Sequence, residues 1–242
     1  MKTLDSRRSL PQHDASRGGN DGKMCRTAFF NSLLTNEREK GTIMAIYTIA
    51  ITGASGAPYG MRVLQTLIKG EHNVYLTITG DGLAILNDET GLLLKGSETD
   101  IQNTLEKHLE AKEGQLRYFD EDNMYSPIAS GSAKVDGMVV VPCSMKALAS
   151  IANGFASNLI ERAADVTIKE KRKLIIVPRE MPLSPIHLRN MLSLSEMGCH
   201  IIPAMPAFYH HPKKLQDMVD FVAGRVLDAL GVENELSPRW GL

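Results

Sequence analysis

The stretch ITGASGAPYG, residues 51–60, joins an apolar segment to an amphipathic one and decides how the chain folds. The residues before it, AIYTIAIT (45–52), have the β-branched and apolar character of a buried strand. The residues after it, APYGMRVLQTLIKG (57–70), have helical spacing, with Pro58 in the first turn. Small residues in such a turn let backbone N–H groups approach an anion, and Ser55 adds a hydroxyl. The glycine spacing matches neither the dinucleotide fingerprint nor the P-loop, so a phosphate-binding turn and a tight packing turn both stay open.

The alternation of strand and helix continues to the end of the chain. Predicted strands cover residues 45–52, 73–79, 115–119, 136–144, 173–180 and 199–205, and predicted helices cover 57–70, 81–91, 98–112, 158–173, 184–198 and 212–231. Val- and Ile-rich strands that alternate with helices indicate a parallel sheet covered on both faces. We therefore predict an α/β fold, with a single doubly wound parallel sheet in one domain over residues 44–242.

The unusual sequences fall at the carboxyl ends of the predicted strands. They are GASGA (53–57), ITGD (78–81), PCSMK (142–146), PREMP (178–182) and PAMPAFYHH (203–211). Ligands of doubly wound sheets bind outside the carboxyl ends of the strands. The sequence therefore predicts a ligand site at this edge.

The composition excludes several classes of protein. The chain has 242 residues, 43% of them hydrophobic and 23% charged, with a formal net charge of -1. This balance is typical of a globular protein and gives no overall field for nucleic acid or an anionic membrane. No apolar run reaches transmembrane length. Cys25, Cys143 and Cys199 are odd in number and widely spaced, which favours a reducing cytoplasm over a disulfide framework or zinc site.

Residues 1–43 differ from the rest of the chain. They are polar and Gly-rich without periodicity, so we predict a disordered N-terminal extension. They lack the apolar core of a signal peptide. The alternative is that translation starts at Met44.

Some polar residues near the strand ends have both a structural and a chemical interpretation. Cys143 is interpreted as a small buried residue, because no His or other base stands near it in sequence. Arg179 suits a phosphate and Glu180 suits proton transfer, although the two could form an ion pair. The pair His210 and His211 suggests a metal, but neighbouring histidines share no helix face and lack a carboxylate or Cys partner at the right spacing. We therefore predict no metal site.

Residues farther along the chain are also ambiguous. Arg162 and Lys169 recur at helical spacing, on a face that is either solvated or part of a site or subunit contact. The hydroxyl of Tyr209 is a candidate donor to a phosphate oxygen. Trp240 is the single tryptophan, and its place in the tail predicts docking on the core or on a neighbouring subunit.

Taken together, these stretches resemble one family, the flavin prenyltransferases of the UbiX type, also described as phenylacrylic acid or polyprenyl-hydroxybenzoate decarboxylases. The resemblance runs over about residues 45–241 and rests, in this order, on GASGAPYG, VPCSMKALA, NLIERAADV, KRKLIIVPREMPLS, IHLRNML, PAMPAFYHHP and PRW. It implies a flavodoxin-like or Rossmann-like three-layer sandwich that assembles as a cytoplasmic homododecamer, with FMN between subunits.

The resemblance also implies a reaction. A dimethylallyl group passes from dimethylallyl monophosphate to N5 and C6 of reduced FMN, phosphate leaves, and no metal takes part. The prenylated FMN then serves a UbiD-type decarboxylase, in ubiquinone biosynthesis or in aromatic acid decarboxylation.

The residues of the site follow from the same resemblance, position by position. The cofactor-binding residues are Gly53, Ala54, Ser55, Thr79, Ser144, Met145, Lys146, Ala147 and Arg179. The substrate-binding residues are Lys169, Tyr209, Arg225 and Arg162. The catalytic residues are Ser55, Glu89, Glu180, Lys169 and Trp240. Thr79 stands where the family often has Ser and keeps the hydroxyl, whereas Glu89 lies in a poorer local match.

Two alternative functions remain, one of them an enzyme and the other a binding protein. An FMN-dependent decarboxylase of the flavin-containing Cys decarboxylase type shares the fold and flavin loops, but it needs a catalytic His and a PXMNXXMW-like loop where this chain has PAMPAFYHH. A non-catalytic flavin carrier needs the flavin loops but not Lys169, Glu180, Tyr209 and Arg225 together.

Overall fold

The structure is a computed structural model, and it describes residues 44–241. The predicted disordered extension, residues 1–43, lies outside the described residues. The strands are β1 (Ile46–Ile51), β2 (Asn73–Ile78), β3 (Leu116–Asp120), β4 (Gly137–Cys143), β5 (Lys173–Pro178) and β6 (His200–Ile201). The helices are α1 (Ala57–Lys69), α2 (Gly80–Thr90), α3 (Glu98–Leu109), α4 (Met145–Ala152), α5 (Leu159–Lys169), α6 (Pro185–Glu196) and α7 (Leu215–Leu230), and a short 3-10 turn covers Pro127–Ala129.

The six strands form one sheet in the order β3-β2-β1-β4-β5-β6, and every neighbouring pair is parallel. The order runs outward in both directions from β1 and β4, so the topological switch point lies between these two strands. This arrangement confirms the predicted doubly wound parallel sheet.

Helices cover both faces of the sheet. One apolar cluster packs α1, α2, α3 and α7 against one face, with Ile49 and Leu76 at its centre. A second cluster packs α4, α5 and α6 against the other face, around Val140 and Ile176. The strand side chains alternate between the two clusters because successive residues of a strand point to opposite faces. The predicted three-layer sandwich is therefore confirmed.

The sheet and helices depart from the predicted bounds in a few places. The last strand is two residues long instead of the seven predicted, although Ile202 and Ala204 still donate to carbonyls of Ile176 and Pro178. Pro203, which has no N–H, follows the strand and weakens its pairing. Helix α5 ends at Lys169 rather than near 173, because Lys171 has a φ of +54° that a helix does not admit.

No helix within residues 44–241 is long and apolar enough to span a membrane.

Candidate active site

A cavity of about 310 Å³ opens at the carboxyl edge of the sheet, at the switch point between β1 and β4. Its lining comes from the ends of β1, β2 and β4 and from the starts of α2, α4 and α5. The lining residues are Thr52, Gly53, Thr79, Gly80, Asp81, Glu121, Ser144, Lys146, Ala147, Asn158 and Glu161. Five of the nine residues predicted to bind a cofactor are therefore in this cavity.

Three helix N-termini converge on the cavity, and each has a side-chain cap. Thr79 accepts from the N–H of Gly82 in α2, Ser144 from that of Ala147 in α4, and Asn158 from that of Glu161 in α5. The remaining first-turn N–H groups and the aligned peptide dipoles favour a negative charge at this point. The arrangement suits a phosphate group.

The first two loops of the site are joined by a hydrogen-bonded threonine. The Thr52 hydroxyl donates to the Pro142 carbonyl at 2.9 Å and accepts from the Ser144 N–H at 2.8 Å. These contacts fix the ends of β1 and β4 relative to each other. Close packing adds to them, since a Cβ on Gly53 would lie 2.6 Å from Cβ of Asp81. These contacts therefore fix the position of the GASGA turn beside the cavity.

Glu89 completes the N-terminus of α1 from the far end of α2. Its carboxylate accepts from the N–H of Gly56 at 2.9 Å and of Ala57 at 2.8 Å. Gly56 has a φ of +118° and no side chain to cap the helix, so the Glu89 carboxylate serves as the cap. Burial and the Glu89 charge together raise the pKa of the neighbouring Tyr59. The structure thus places Glu89 directly behind the GASGA turn.

The PRE sequence begins with the last residue of β5, Pro178, and continues close to the same turn. Nε of Arg179 donates to the Ser55 carbonyl at 3.0 Å, so the guanidinium is tied to the predicted flavin turn. Glu180 accepts from the backbone N–H of Met181 at 2.9 Å and forms no ion pair with Arg179. Neither Arg179 nor Glu180 takes part in the six ion pairs found among residues 44–241, so both side chains are available to a ligand.

A separate aromatic cluster holds the other predicted substrate residues. The Tyr209 ring meets the Trp240 ring edge to face at a centroid distance of 4.9 Å, and it meets Phe221 of α7 at 5.7 Å. The His210 ring stacks on Phe221 at 5.1 Å. Trp240 is nevertheless 78% exposed, so one side of the cluster faces outward. The structure therefore brings Tyr209 and Trp240 together.

Arg225 lies on α7 and is exposed. It pairs with Asp228 at 3.1 Å, and Asp228 also binds Arg239 of the tail at 2.9 Å. Exposed pairs of this kind contribute little to stability, so their disruption by a ligand costs little.

Lys169 does not reach the cavity of its own chain. Helix α5 starts at the cavity with Asn158, and Lys169 is its last residue, about 16 Å farther on at 1.5 Å per residue. Lys169 pairs there with Glu170. Arg162 lies between, paired with Asp165 at 2.7 Å and bonded to the Ala129 carbonyl at 3.0 Å. Lys169 therefore belongs to a different surface of the chain, whereas Arg162 lies one turn from the cavity residue Asn158.

The thiol of Cys143 lies at the end of β4 but is fully buried. Burial raises its pKa to about 12. A thiol in this state is a poor nucleophile at neutral pH. This agrees with the interpretation of Cys143 as a small buried residue.

Six cavity residues were not among the predicted site residues: Thr52, Gly80, Asp81, Glu121, Asn158 and Glu161. Glu121 follows directly on β3, and its position at a strand end was the signal that could have found it. Asn158 and Glu161 form a helix start that is recognisable as Asn at the cap and Glu three residues later. Among residues 44–241, no three His, Cys, Asp or Glu side chains are grouped to hold a metal ion.

The chain is similar to known flavoproteins over most of its length. Residues 34–227 match the model of the family described as Flavoprotein. A flavin prenyltransferase UbiX from Halalkalibacterium halodurans is 49% identical over 196 residues, which are 81% of this chain and 93% of that protein.

Two solved structures share the fold and much of the sequence. The crystal structure of AnUbiX (PadA1) in complex with FMN and dimethylallyl pyrophosphate has a TM-score of 0.72 and 37% identity over 81% of this chain and 97% of that one. A dodecameric FMN-dependent UbiX-like decarboxylase from Escherichia coli O157:H7 has a TM-score of 0.70 and 42% identity over 81% and 98%. With this coverage and identity, the chain belongs to the Flavoprotein family and, within it, to the UbiX flavin prenyltransferases.

Proposed function

We propose that this protein transfers a dimethylallyl group from dimethylallyl monophosphate to N5 and C6 of reduced FMN, giving prenylated FMN for a UbiD-type decarboxylase. The observation that carries the proposal is the cavity at the switch point, where three capped helix N-termini meet, in a chain 49% identical to a flavin prenyltransferase. The flavin-containing Cys decarboxylase type and the flavin carrier are not favoured, because the relative with 49% identity is a flavin prenyltransferase.

The residues of the cavity fit the phosphate end of FMN. Thr79 and Ser144 offer hydroxyls beside the first-turn N–H groups of α2 and α4, and Lys146 adds a positive charge. Small residues leave room for close approach of the backbone. The proposed flavin-binding residues are Gly53, Ala54, Ser55, Thr79, Ser144, Met145, Lys146, Ala147 and Arg179.

FMN supplies the reduced ring whose N5 and C6 accept the dimethylallyl carbons. The chain holds that ring through the GASGA turn, which Glu89 supports from behind and Arg179 from the side. Ser55 lies at the tip of the turn and is exposed, so its hydroxyl is free to face the ring. Glu180 is the proposed acid or base, with Glu89 as a second carboxylate of the site.

The departing phosphate is the second anion that the site must bind. As the C–O bond of the dimethylallyl donor breaks, charge builds up on a phosphate that already carries nearly two negative charges. Lys169, Arg162 and Arg225 provide cations and Tyr209 a hydroxyl, a donor set that offsets this charge without a metal. The ring of Trp240, which contacts Tyr209, is the proposed π system for positive charge on the allyl carbons.

The position of Lys169 supports an assembly in which neighbouring copies complete the site. Lys169 lies at the far end of α5 from the cavity, and Arg162 lies on the same side of the helix. The UbiX-like structure from Escherichia coli O157:H7 is dodecameric. We therefore include a homododecamer, with FMN between subunits, in the proposal.

The identity of the donor is a separate part of the proposal. AnUbiX (PadA1) was solved with dimethylallyl pyrophosphate. The cations and the tyrosine hydroxyl named above suit a monophosphate, which is the proposed donor. A cytoplasmic location and a flavoprotein domain over residues 44–242 complete the proposal.

The test is anaerobic. Purified protein is incubated with reduced FMN and dimethylallyl monophosphate, without magnesium, and the flavin is weighed by mass spectrometry. A gain of one C5H8 unit with release of phosphate supports the prenyltransferase, and a parallel reaction with dimethylallyl pyrophosphate identifies the donor. Unchanged flavin on protein that has bound FMN would contradict the proposal. The Tyr209→Ala variant distinguishes a carrier, which would still bind and release FMN, from an enzyme, which would lose turnover.

A further inference from the structure

The carboxylate of Glu121 occupies a backbone donor that the flavin phosphate would use. Its Oε1 accepts from the N–H of Gly80, the first residue of α2, at 2.6 Å. Its Oε2 accepts from Nδ2 of Asn158, the cap of α5, at 3.2 Å. Both donors line the cavity at the switch point.

The contacts of Glu121 are made to neutral groups only. None of the six ion pairs among residues 44–241 includes it. Asp81 and Glu161 add carboxylates to the same lining, and Lys146 is its single cation. The negative charge of Glu121 therefore acts on any anion that enters the cavity, with little compensation nearby.

Helix α2 does not need this carboxylate to complete its N-terminus. Thr79 already accepts from the N–H of Gly82, and Asp81 already places a negative charge in the first turn. The structural link from this loop to α5 is made by the backbone, since the Glu121 carbonyl accepts from the Leu159 N–H at 2.7 Å. That link survives a change of the side chain.

We propose that Glu121 weakens the hold of the site on the flavin phosphate, by competing for the Gly80 N–H and by repelling the phosphate charge. The inference rests on the proposed function, in which the FMN phosphate enters this cavity. The product flavin keeps its phosphate and must leave for another protein. A built-in competitor at the phosphate position raises the dissociation rate of that product.

The test compares FMN with riboflavin, which lacks the phosphate. Dissociation constants for both oxidised flavins are measured by fluorescence titration on the wild-type protein and on Glu121→Gln. The Gln side chain keeps the shape and loses the charge, so FMN should bind about fivefold to tenfold more tightly. Riboflavin should bind within about twofold of the wild type, because it has no phosphate to compete.

Asp81→Asn is the matched control. It removes the same charge from the same cavity but leaves the Gly80 N–H bonded to Glu121. Its effect on FMN should be clearly smaller than that of Glu121→Ala, which removes both the charge and the acceptor of the Gly80 N–H. An equal gain in the two variants would overturn the competition for Gly80 and leave a general charge effect.

Further outcomes are distinguishable. Glu121→Ala frees the Gly80 N–H completely and should bind FMN at least as tightly as Glu121→Gln, and it decides the matter if the Gln variant fails to fold. FMN binding that is unchanged or weaker in these variants would refute the role of Glu121. A wild-type protein that binds FMN no better than riboflavin would instead contradict the placement of the phosphate, and with it the proposed function.

Discussion

Subunit mixing tests whether one active site draws residues from two copies of the chain. The two positions are Lys169, at the far end of α5, and Arg179, tied to the flavin turn. The residue at the start of α5 lines the cavity, and Lys169 lies about 16 Å farther along the helix. A site that uses both Lys169 and Arg179 therefore needs Lys169 from a neighbouring copy.

The expected activity of mixed oligomers follows from the fraction of sites that receive both an intact Lys169 and an intact Arg179. Lys169→Ala and Arg179→Ala are each expected to be nearly inactive, with losses of about 100-fold or more for a deleted cation at a developing charge. In oligomers with equal numbers of both variants, a site receives the intact Arg from one copy with a chance of one half and the intact Lys from another with the same chance. Mixed oligomers should then recover about one quarter of wild-type activity.

The assay uses two different affinity tags, co-expression and tandem purification, followed by the anaerobic flavin assay. The double variant Lys169→Ala/Arg179→Ala mixed equally with wild type is the control. It should give about one quarter of wild-type activity if the residues come from different copies and about one half if they come from the same one. No recovery in the first mixture, with one half in the second, would refute the shared site.

Three further predictions concern stability and reactivity. Gly60→Ala would bring a Cβ to 2.5 Å from the Val141 carbonyl oxygen. In urea denaturation it should lower the free energy of unfolding by about 1–3 kcal/mol. Gly224→Ala is the control and should cost less, because the atom nearest to its new Cβ is the end of a side chain and not the backbone. Glu89→Ala removes the acceptor of two backbone N–H groups and should cost about 1–3 kcal/mol in the same experiment, and an unchanged midpoint would contradict its capping role. Because burial raises the pKa of Cys143 to about 12, native protein at pH 8 should leave this thiol unalkylated by iodoacetamide, as checked by peptide mass spectrometry with unfolded protein as control. The raised pKa also means that its contribution to stability is complete below about pH 9 and is lost as pH rises from there towards 12.

The sequence by itself determined the class of fold. Continuous apolar runs predict the buried strands β1, β4 and β5. Apolar residues at helical spacing predict the amphipathic helices α1 and α7. Ser144 and Ser184 cap helices α4 and α6, and such caps are readable from sequence because capping depends on residues within one turn.

The family was also within reach of the sequence, because a resemblance depends on the order of motifs and not on their positions in space. The same resemblance named Glu89 as a site residue, but it gave no indication that the carboxylate binds the N–H groups of Gly56 and Ala57. That contact joins residues about thirty positions apart, and no local pattern encodes it.

Only the tertiary structure decided which of these residues meet. Strand order places the ends of β1 and β4 side by side, so Thr52 and Ser144 share a hydrogen bond across ninety-two positions of sequence. The same packing brings Glu121 to the start of α2 and carries Lys169 away from the cavity. The physical reason is that residue identity and spacing fix the local conformation. The order of the strands and the position of each helix depend instead on how the two faces of the sheet are buried.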